Sequence, residues 1–314
     1  AMETILKDAK RYGSLKESFL AHQATYGIDK IDYLFPDATN VNNVPDFIKR
    51  DDSYVQKVMK GVHHVPFSRI KSMHADITAD EARAKGYIKG KLKKEEVFTL
   101  LKRTTVPTTI YKKQKLDRDD VIDITDFDVV AWLKAEMRMM LDEEIARAIL
   151  VGDGRLSSSD DKINEQCIRP ISTDSDLYTV KATVDVATAA TDDEIAKAFI
   201  RTVIKSRKEY KGSGSPTLFT TEDVLTNCLL LEDKNGRVIY DTVDKLATAL
   251  RVKEIVTVEV MEGAKTKVSE QEKPLMAIMV NLADYNVGAD KGGAINMFDD
   301  FDIDYNQQKY LMET

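Results

Sequence analysis

Cysteine is nearly absent from this chain of 314 residues: Cys167 and Cys228 are the only two. That is too few for a disulfide framework and suits folding in a reducing compartment. No apolar run approaches the length of a membrane-spanning helix, which takes roughly 18 residues or more, and the N-terminus has no secretory pattern. Basic charge is not in excess either. The net charge is −7, whereas a protein that grips nucleic acid clusters Lys and Arg against phosphate. Cys-x-x-Cys, His-Glu-x-x-His and Gly-x-Ser-x-Gly do not occur, nor does an internal repeat or a low-complexity tract.

What is present suffices for a real core, with 43% apolar residues, under a heavily solvated surface, with 32% charged. The length suits about two domains. The most strongly patterned stretch runs from Asp126 to Leu150. Val129, Val130, Leu133, Met137, Met140, Leu141, Ile145, Ala148 and Ile149 recur at helical spacing, and Lys134, Arg138, Glu143, Glu144 and Arg147 lie opposite. Thr125 is placed to cap the start, Asp126 and Asp128 suit its positive end, and Gly152 and Gly154 stop it. A helix of that length reaches roughly 37 Å, long enough to act as a spine.

Around this spine the remaining segments fall in order. Residues 3–26 read as an amphipathic helix. From Ile28 to about Met59 there is little periodicity, yet Tyr33, Leu34, Phe35, Phe47, Ile48 and Tyr54 need burial; an arm packed on another chain fits both facts. Phe67–Ile77 reads as one strand and Val97–Lys115 as a second extended run. Between them lies a polar tip, Thr78–Glu96, crowded with Arg83, Lys85, Lys89, Lys91, Lys93 and Lys94. About fifteen extended residues reach roughly 50 Å, and a lone two-stranded ribbon is marginal in water, so the hairpin is expected to lie on a partner. Further strands are expected near Ile168 and from Tyr178 to Val186. An amphipathic helix capped by Thr191 covers Asp192–Lys211. A strand at Thr217–Thr220, helices at Glu222–Leu231 and Val243–Leu250, and strands at Glu254–Met261 and Leu275–Asn281 follow, with a charged loop at Glu262–Lys273. This alternation is that of a compact α/β module. Phe301–Leu311 reads as one long extended segment.

Chemical signals are thin. His63, His64 and His74, with nearby acids such as Asp76, would be the ligands of a metal-dependent hydrolase. Adjacent histidines on a strand point to opposite faces, however, and do not readily share a metal. The segment Gly288-Ala289-Asp290-Lys291-Gly292-Gly293 lacks the ending and spacing of a phosphate loop. The acidic groups Asp117-Arg118-Asp119-Asp120 and Asp299-Asp300 lack the ligand spacing of a calcium loop. The lysine-rich tip has only Tyr87 and Phe98 to stack on bases, so protein contact suits it better than nucleic acid. Cys167 and Cys228 have no visible His partner.

The order of parts is distinctive: an arm, a charged hairpin opened by Val65-Pro66-Phe67-Ser68-Arg69-Ile70, and a spine helix that exits through Gly152-Asp153-Gly154-Arg155. Then Pro216-Thr217-Leu218-Phe219 leads into Leu229-Leu230-Leu231-Glu232-Asp233-Lys234-Asn235-Gly236-Arg237-Val238-Ile239-Tyr240. This resembles the major capsid proteins of tailed bacteriophages, with their Hong Kong 97-type shell fold. The resemblance implies an α+β fold divided into an N-terminal helix and arm (1–62), an extended loop (63–125), a peripheral domain with the spine helix (126–190), an axial domain (191–296) and a return strand of the peripheral domain (297–314). It implies a structural subunit of a phage or prophage head and no enzyme, with no catalytic, cofactor-binding or metal residues and no cofactor. Its partners would be itself, in hexamers and pentamers, together with scaffolding, portal and decoration proteins. Packaged DNA would be touched only loosely and without sequence preference, and no membrane would be involved. The subunit would be made in the bacterial host cytoplasm and reside in the virion capsid. Some relatives form lysine–asparagine isopeptide links; hairpin lysines such as Lys89 and Lys91 occur here, but no Asn–Glu pair matches, so no crosslink is expected. Rival readings are an encapsulin-like nanocompartment on the same fold, the metal-dependent hydrolase, and a DNA-binding protein acting through the hairpin tip.

Overall fold

A computed structural model describes residues 53–76, 99–118, 129–187, 190–268, 271–289 and 293–314, with isolated positions at 11, 83–85 and 89. Contacts divide the chain into Ala1–Lys49 with Asp119–Val130, and Arg50–Arg118 with Ala131–Thr314. The elements below belong to the second unit, save the first two residues of the spine helix. The expected helix at 3–26, most of the arm, nearly all of the polar tip and the Thr125 cap lie outside the described residues.

The spine is helix α2, Val129–Leu150, of 22 residues, about 33 Å long. Met137 and Leu141 are buried, as their spacing predicts. The last turns depart from a one-sided stripe: Ala146, Ala148, Ile149 and Leu150 are all buried, because the helix runs into a core that surrounds it. Its end is where the glycines predict. The N–H groups of Val151 and Gly152 both donate to the Arg147 carbonyl, and Gly152 and Gly154 take φ of 89° and 69°, where other residues are strained.

A small mixed sheet separates two cores. Strand β5 (Thr217–Thr220) pairs in parallel with β6 (Ile255–Thr257) and antiparallel with β9 (Ala277–Val280). Phe219 stands between Val256 and Ile278, and these three enter one core with the end of α2 and with Tyr54, Val55 and Val58 of helix α1 (Ser53–Gly61). Leu218 points the other way, into a second core with α3 (Asp192–Ser206), α4 (Glu222–Leu229) and α5 (Val243–Leu250). A one-residue slip of β5 would exchange the two sets. Helix α3 begins with a reciprocal capping box: Glu194 N–H donates to Thr191 Oγ1 at 3.4 Å and Thr191 N–H to Glu194 Oε2 at 3.0 Å. Thr221 and Thr242 cap α4 and α5.

Strand pairing revises the reading of the extended segments. The run from Val97 to Lys115 is two strands of different sheets. Strand β3 (Thr99–Thr105) pairs with β2 (Ile70–Asp76) as a hairpin, whereas β4 (Tyr111–Asp117) pairs with β12 (Gln307–Glu313). The break at 106–110 contains Pro107, which has no N–H for a ladder. The last segment is likewise not one extended run. Strand β11 (Asn296–Asp302) turns at Asn306, φ 53°, and returns as β12, which completes a β4–β12–β11 sheet; Asn tolerates that left-handed conformation better than most residues. The strands expected near Ile168 and at Tyr178–Val186 are irregular chain. The charged loop at Glu262–Lys273 contains most of an antiparallel pair, β7 (Lys265–Val268) with β8 (Gln271–Pro274). Finally, β1 (His63–Val65) runs parallel to β10 (Asn286–Gly288).

Candidate interaction surface

Among the described residues the β2–β3 hairpin pairs with no further strand, and it has two faces. Cross-strand partners put Ser72 beside Arg103 and His74 beside Leu101 on one face, with Met73 beside Lys102 and Ala75 beside Leu100 on the other. The second face is bare: Met73 is 64% exposed and Leu100 54%. The base of the hairpin is held. Arg103 Nη1 lies 2.8 Å from Asp174 Oδ2, and the guanidinium sits 4.0 Å from the centre of the Tyr178 ring. The Tyr178 hydroxyl is 3.2 Å from Ser72 Oγ, and the ring meets His74 edge-on at 5.2 Å. Gly288 allows the connection into β2 to pass close by, because a Cβ there would collide with the Phe67 carbonyl and Ile70.

Exposed apolar side chains also gather on the β11–β12 hairpin and at one end of the α/β module. The β11–β12 hairpin carries Phe298 on a strand, and Ile303 and Tyr305 at its turn are 84% and 69% exposed. The α/β module presents Leu230, Val238 and Ile239 where α4 leads into a tight bridge between Glu232 and Val238. Single exposed apolar residues are ordinary, but groups of them mark contact surfaces. Strand β11 meets the spine through the face opposite Phe298, which carries Asp299: Lys134 of α2 reaches Asp299 at 3.1 Å and lies 5.4 Å from the Tyr310 ring.

The histidines are not gathered. His63 Nδ1 is 2.8 Å from Asn286 Oδ1 across the β1–β10 pair, His64 Nε2 is 3.5 Å from the Met59 carbonyl, and His74 is engaged with Tyr178 on the hairpin. Among the described residues no group of three or more His, Cys, Asp or Glu side chains is placed to hold a metal ion. The hydrolase reading therefore finds no assembled ligand set there. Cys228 is buried in the second core, and burial pushes its thiol up to about 11; such a thiol is inert near neutral pH. Cys167 is free and half-buried. Lys89 is exposed, while Lys91 and the 119–120 end of one acidic group lie outside the described residues. No helix among the described residues is long and apolar enough to cross a membrane.

A well-satisfied buried charge follows the spine. The Asp153 carboxylate is fully buried and accepts from Ile163 N–H at 2.7 Å, Arg155 N–H at 3.2 Å and Lys162 Nζ at 3.2 Å. Burial alone would raise its pKa; the Ile163 N–H, the Lys162 ammonium and the Arg155 N–H outweigh that and hold the carboxyl below its ordinary value. It ties the loop at 155–163 to the helix exit and leaves no open position for a ligand. Neither this role nor the Tyr178 contacts could be read from the sequence, because both join residues by tertiary hydrogen bonds that leave no periodic trace.

The sequence matches no family profile and no curated protein. The fold does have counterparts. A structure from Mycobacterium phage Ogopogo superposes with a TM-score of 0.56 at 10% identity, covering 91% of this chain and 94% of that one. The capsid of a native GTA particle, computed with C5 symmetry, gives 0.55 at 9% identity over 91% and 93%. A structure from Mycobacterium phage Bobi gives 0.54 at 12% identity over 87% and 85%. The chain has the Hong Kong 97-type capsid fold. The likeness extends over most of this chain and most of each matched chain.

Proposed function

We propose that this chain is the structural subunit of a phage or prophage icosahedral head, self-assembling into the shell that encloses the genome. The observation that carries the reading is the apolar surface that the chain leaves bare on the β2–β3 hairpin, the β11–β12 turn and the end of the α/β module, combined with a capsid fold. A two-stranded ribbon with Met73, Leu100 and Leu101 in water is not a self-sufficient structure; copies of the chain would cover it. Repeated contacts between different patches must close into rings, which a shell built of hexamers and pentamers satisfies.

In this reading residues 63–125 form the extended loop, of which β2–β3 is the outlying part and β4 the root in the peripheral sheet. Residues 126–190 and 297–314 make up the peripheral domain, and 191–296 the axial domain. The subunit does no chemistry and holds no cofactor. Scaffolding, portal and decoration proteins are its partners besides itself, DNA is touched without sequence preference, and assembly takes place in the bacterial host cytoplasm. The test is electron microscopy of the full-length protein produced with its head-assembly partners. Closed shells are expected; small discrete oligomers under every condition would contradict the proposal.

A further inference from the structure

One ring gathers side chains from both strands of the hairpin. We propose that Tyr178, backed by Asp174, is the positioning residue that aims the β2–β3 hairpin; the consequence for assembly rests on the shell reading above, the clasp itself does not. Three side chains from both strands converge on Tyr178: the Arg103 guanidinium stacks on its face at 4.0 Å, His74 meets it edge-on at 5.2 Å and Ser72 Oγ stands 3.2 Å from its hydroxyl. Asp174 fixes Arg103 from the other side at 2.8 Å, and their side chains are only 15% and 19% exposed. A charge-assisted pair and a stacked guanidinium at this degree of burial hold geometry better than a surface ion pair does.

The segment that carries the ring is itself fixed to the rigid centre. Ile171 N–H donates to the Ile149 carbonyl at 2.8 Å and Ser172 N–H to the Leu150 carbonyl at 3.1 Å, so the chain before Asp174 is stitched to the last turn of the spine. Thr266 Oγ1 donates to the Ser172 carbonyl at 2.6 Å and braces it from the β7–β8 hairpin. Turns at Asp174 and Tyr178, closed by N–H bonds to Pro170 and Ser175, then set the ring at the hairpin. A continuous path therefore runs from the spine to Ser72, His74 and Arg103. Leu101, across from His74, and Ala75 and Leu100 beyond it are exposed. The clasp grips the hairpin from Ser72 to His74 and so sets the direction in which its strands leave the body.

Hydrogen–deuterium exchange of the full chain tests this directly. In the Tyr178→Ala variant the amides of 70–75 and 99–105 should exchange roughly tenfold faster, while those of β5 in the core keep their protection. Tyr178→Phe, which retains the stacked ring and loses only the hydroxyl, should lie near wild type, and Asp174→Asn should fall between. Unchanged hairpin exchange in Tyr178→Ala, or hairpin amides already unprotected in the wild type, would overturn the proposal. Loss of protection in β5 would show unfolding, and Tyr178→Phe with Asp174→Asn then decide by the same ranking. Particle yield is read separately: aberrant or absent shells in Tyr178→Ala beside normal wild-type shells are expected, and normal shells despite a loosened hairpin would refute the link to assembly. Absence of shells from the wild type would sink the shell reading and leave the exchange result standing.

Discussion

Single residues carry sharply different burdens in this molecule. Asp153 is a charge with no solvent and three donors. Its replacement by Asn puts an amide where three donors converge, and a loss of about 2 kcal/mol is expected from the orphaned groups, measured by urea unfolding at pH 7. The pH dependence has a definite sign. The folded pKa lies below the ordinary 3.8, so the stabilisation is complete above the unfolded pKa and fades as pH falls through the folded one. Asp153→Asn should therefore flatten the loss of stability in acid, and an unchanged acid limb would show that other carboxylates govern it. Gly288 works by what it lacks. Gly288→Ala would push a methyl group into the Phe67 carbonyl and Ile70, and a loss of about 1–3 kcal/mol is expected from overpacking, read as a lower melting temperature. Cys228, with its thiol raised to about 11 by burial, should resist alkylation at pH 8 until the protein is denatured.

At the scale of elements, legibility followed locality. The spine, α3 and α5 announced themselves because their apolar residues recur at helical spacing and because Thr191, Gly152 and Gly154 act on their own neighbours, whereas β5 is buried on both faces and shows as a short run without alternation. What stayed hidden was pairing between distant stretches. The partnership of β4 with β12 and that of β1 with β10 join residues far apart in sequence, and nothing in Tyr111–Asp117 distinguishes a strand of the β4–β12–β11 sheet from a continuation of the hairpin. The irregular stretch from Arg155 to Ala187 is ordered by contacts to the spine rather than by a repeat of its own, which is why alternating residues there suggested strands that do not form. Within the candidate surface the hairpin was visible and its clasp was not. The spine offers a comparison of buried and exposed positions on one helix. Leu141→Ala should cost about 3 kcal/mol as a cavity-forming change, whereas Lys134→Ala, removing a partly exposed ion pair with Asp299, should cost less than about 1 kcal/mol. Equal losses at both sites would mean that the helix is not packed as described.

Taken whole, the chain divides its apolar residues between two jobs. Phe219, Leu218 and their neighbours fill two cores on either side of one sheet, which makes the centre stable by itself. Met73, Leu100 and Ile303 are left to water, and a chain that acts alone gains nothing from that. Surface substitutions that disturb no core contact change stability by little, so the double variant Met73→Asp with Leu100→Asp should unfold like wild type and yet fail to form shells. The most direct measurement is cryo-electron microscopy of assembled particles at a resolution that traces side chains. The account predicts density for the outer face of the β2–β3 hairpin, Met73 and Leu100 included, packed against a neighbouring copy. A closed particle in which that face meets only solvent or its own chain would contradict it.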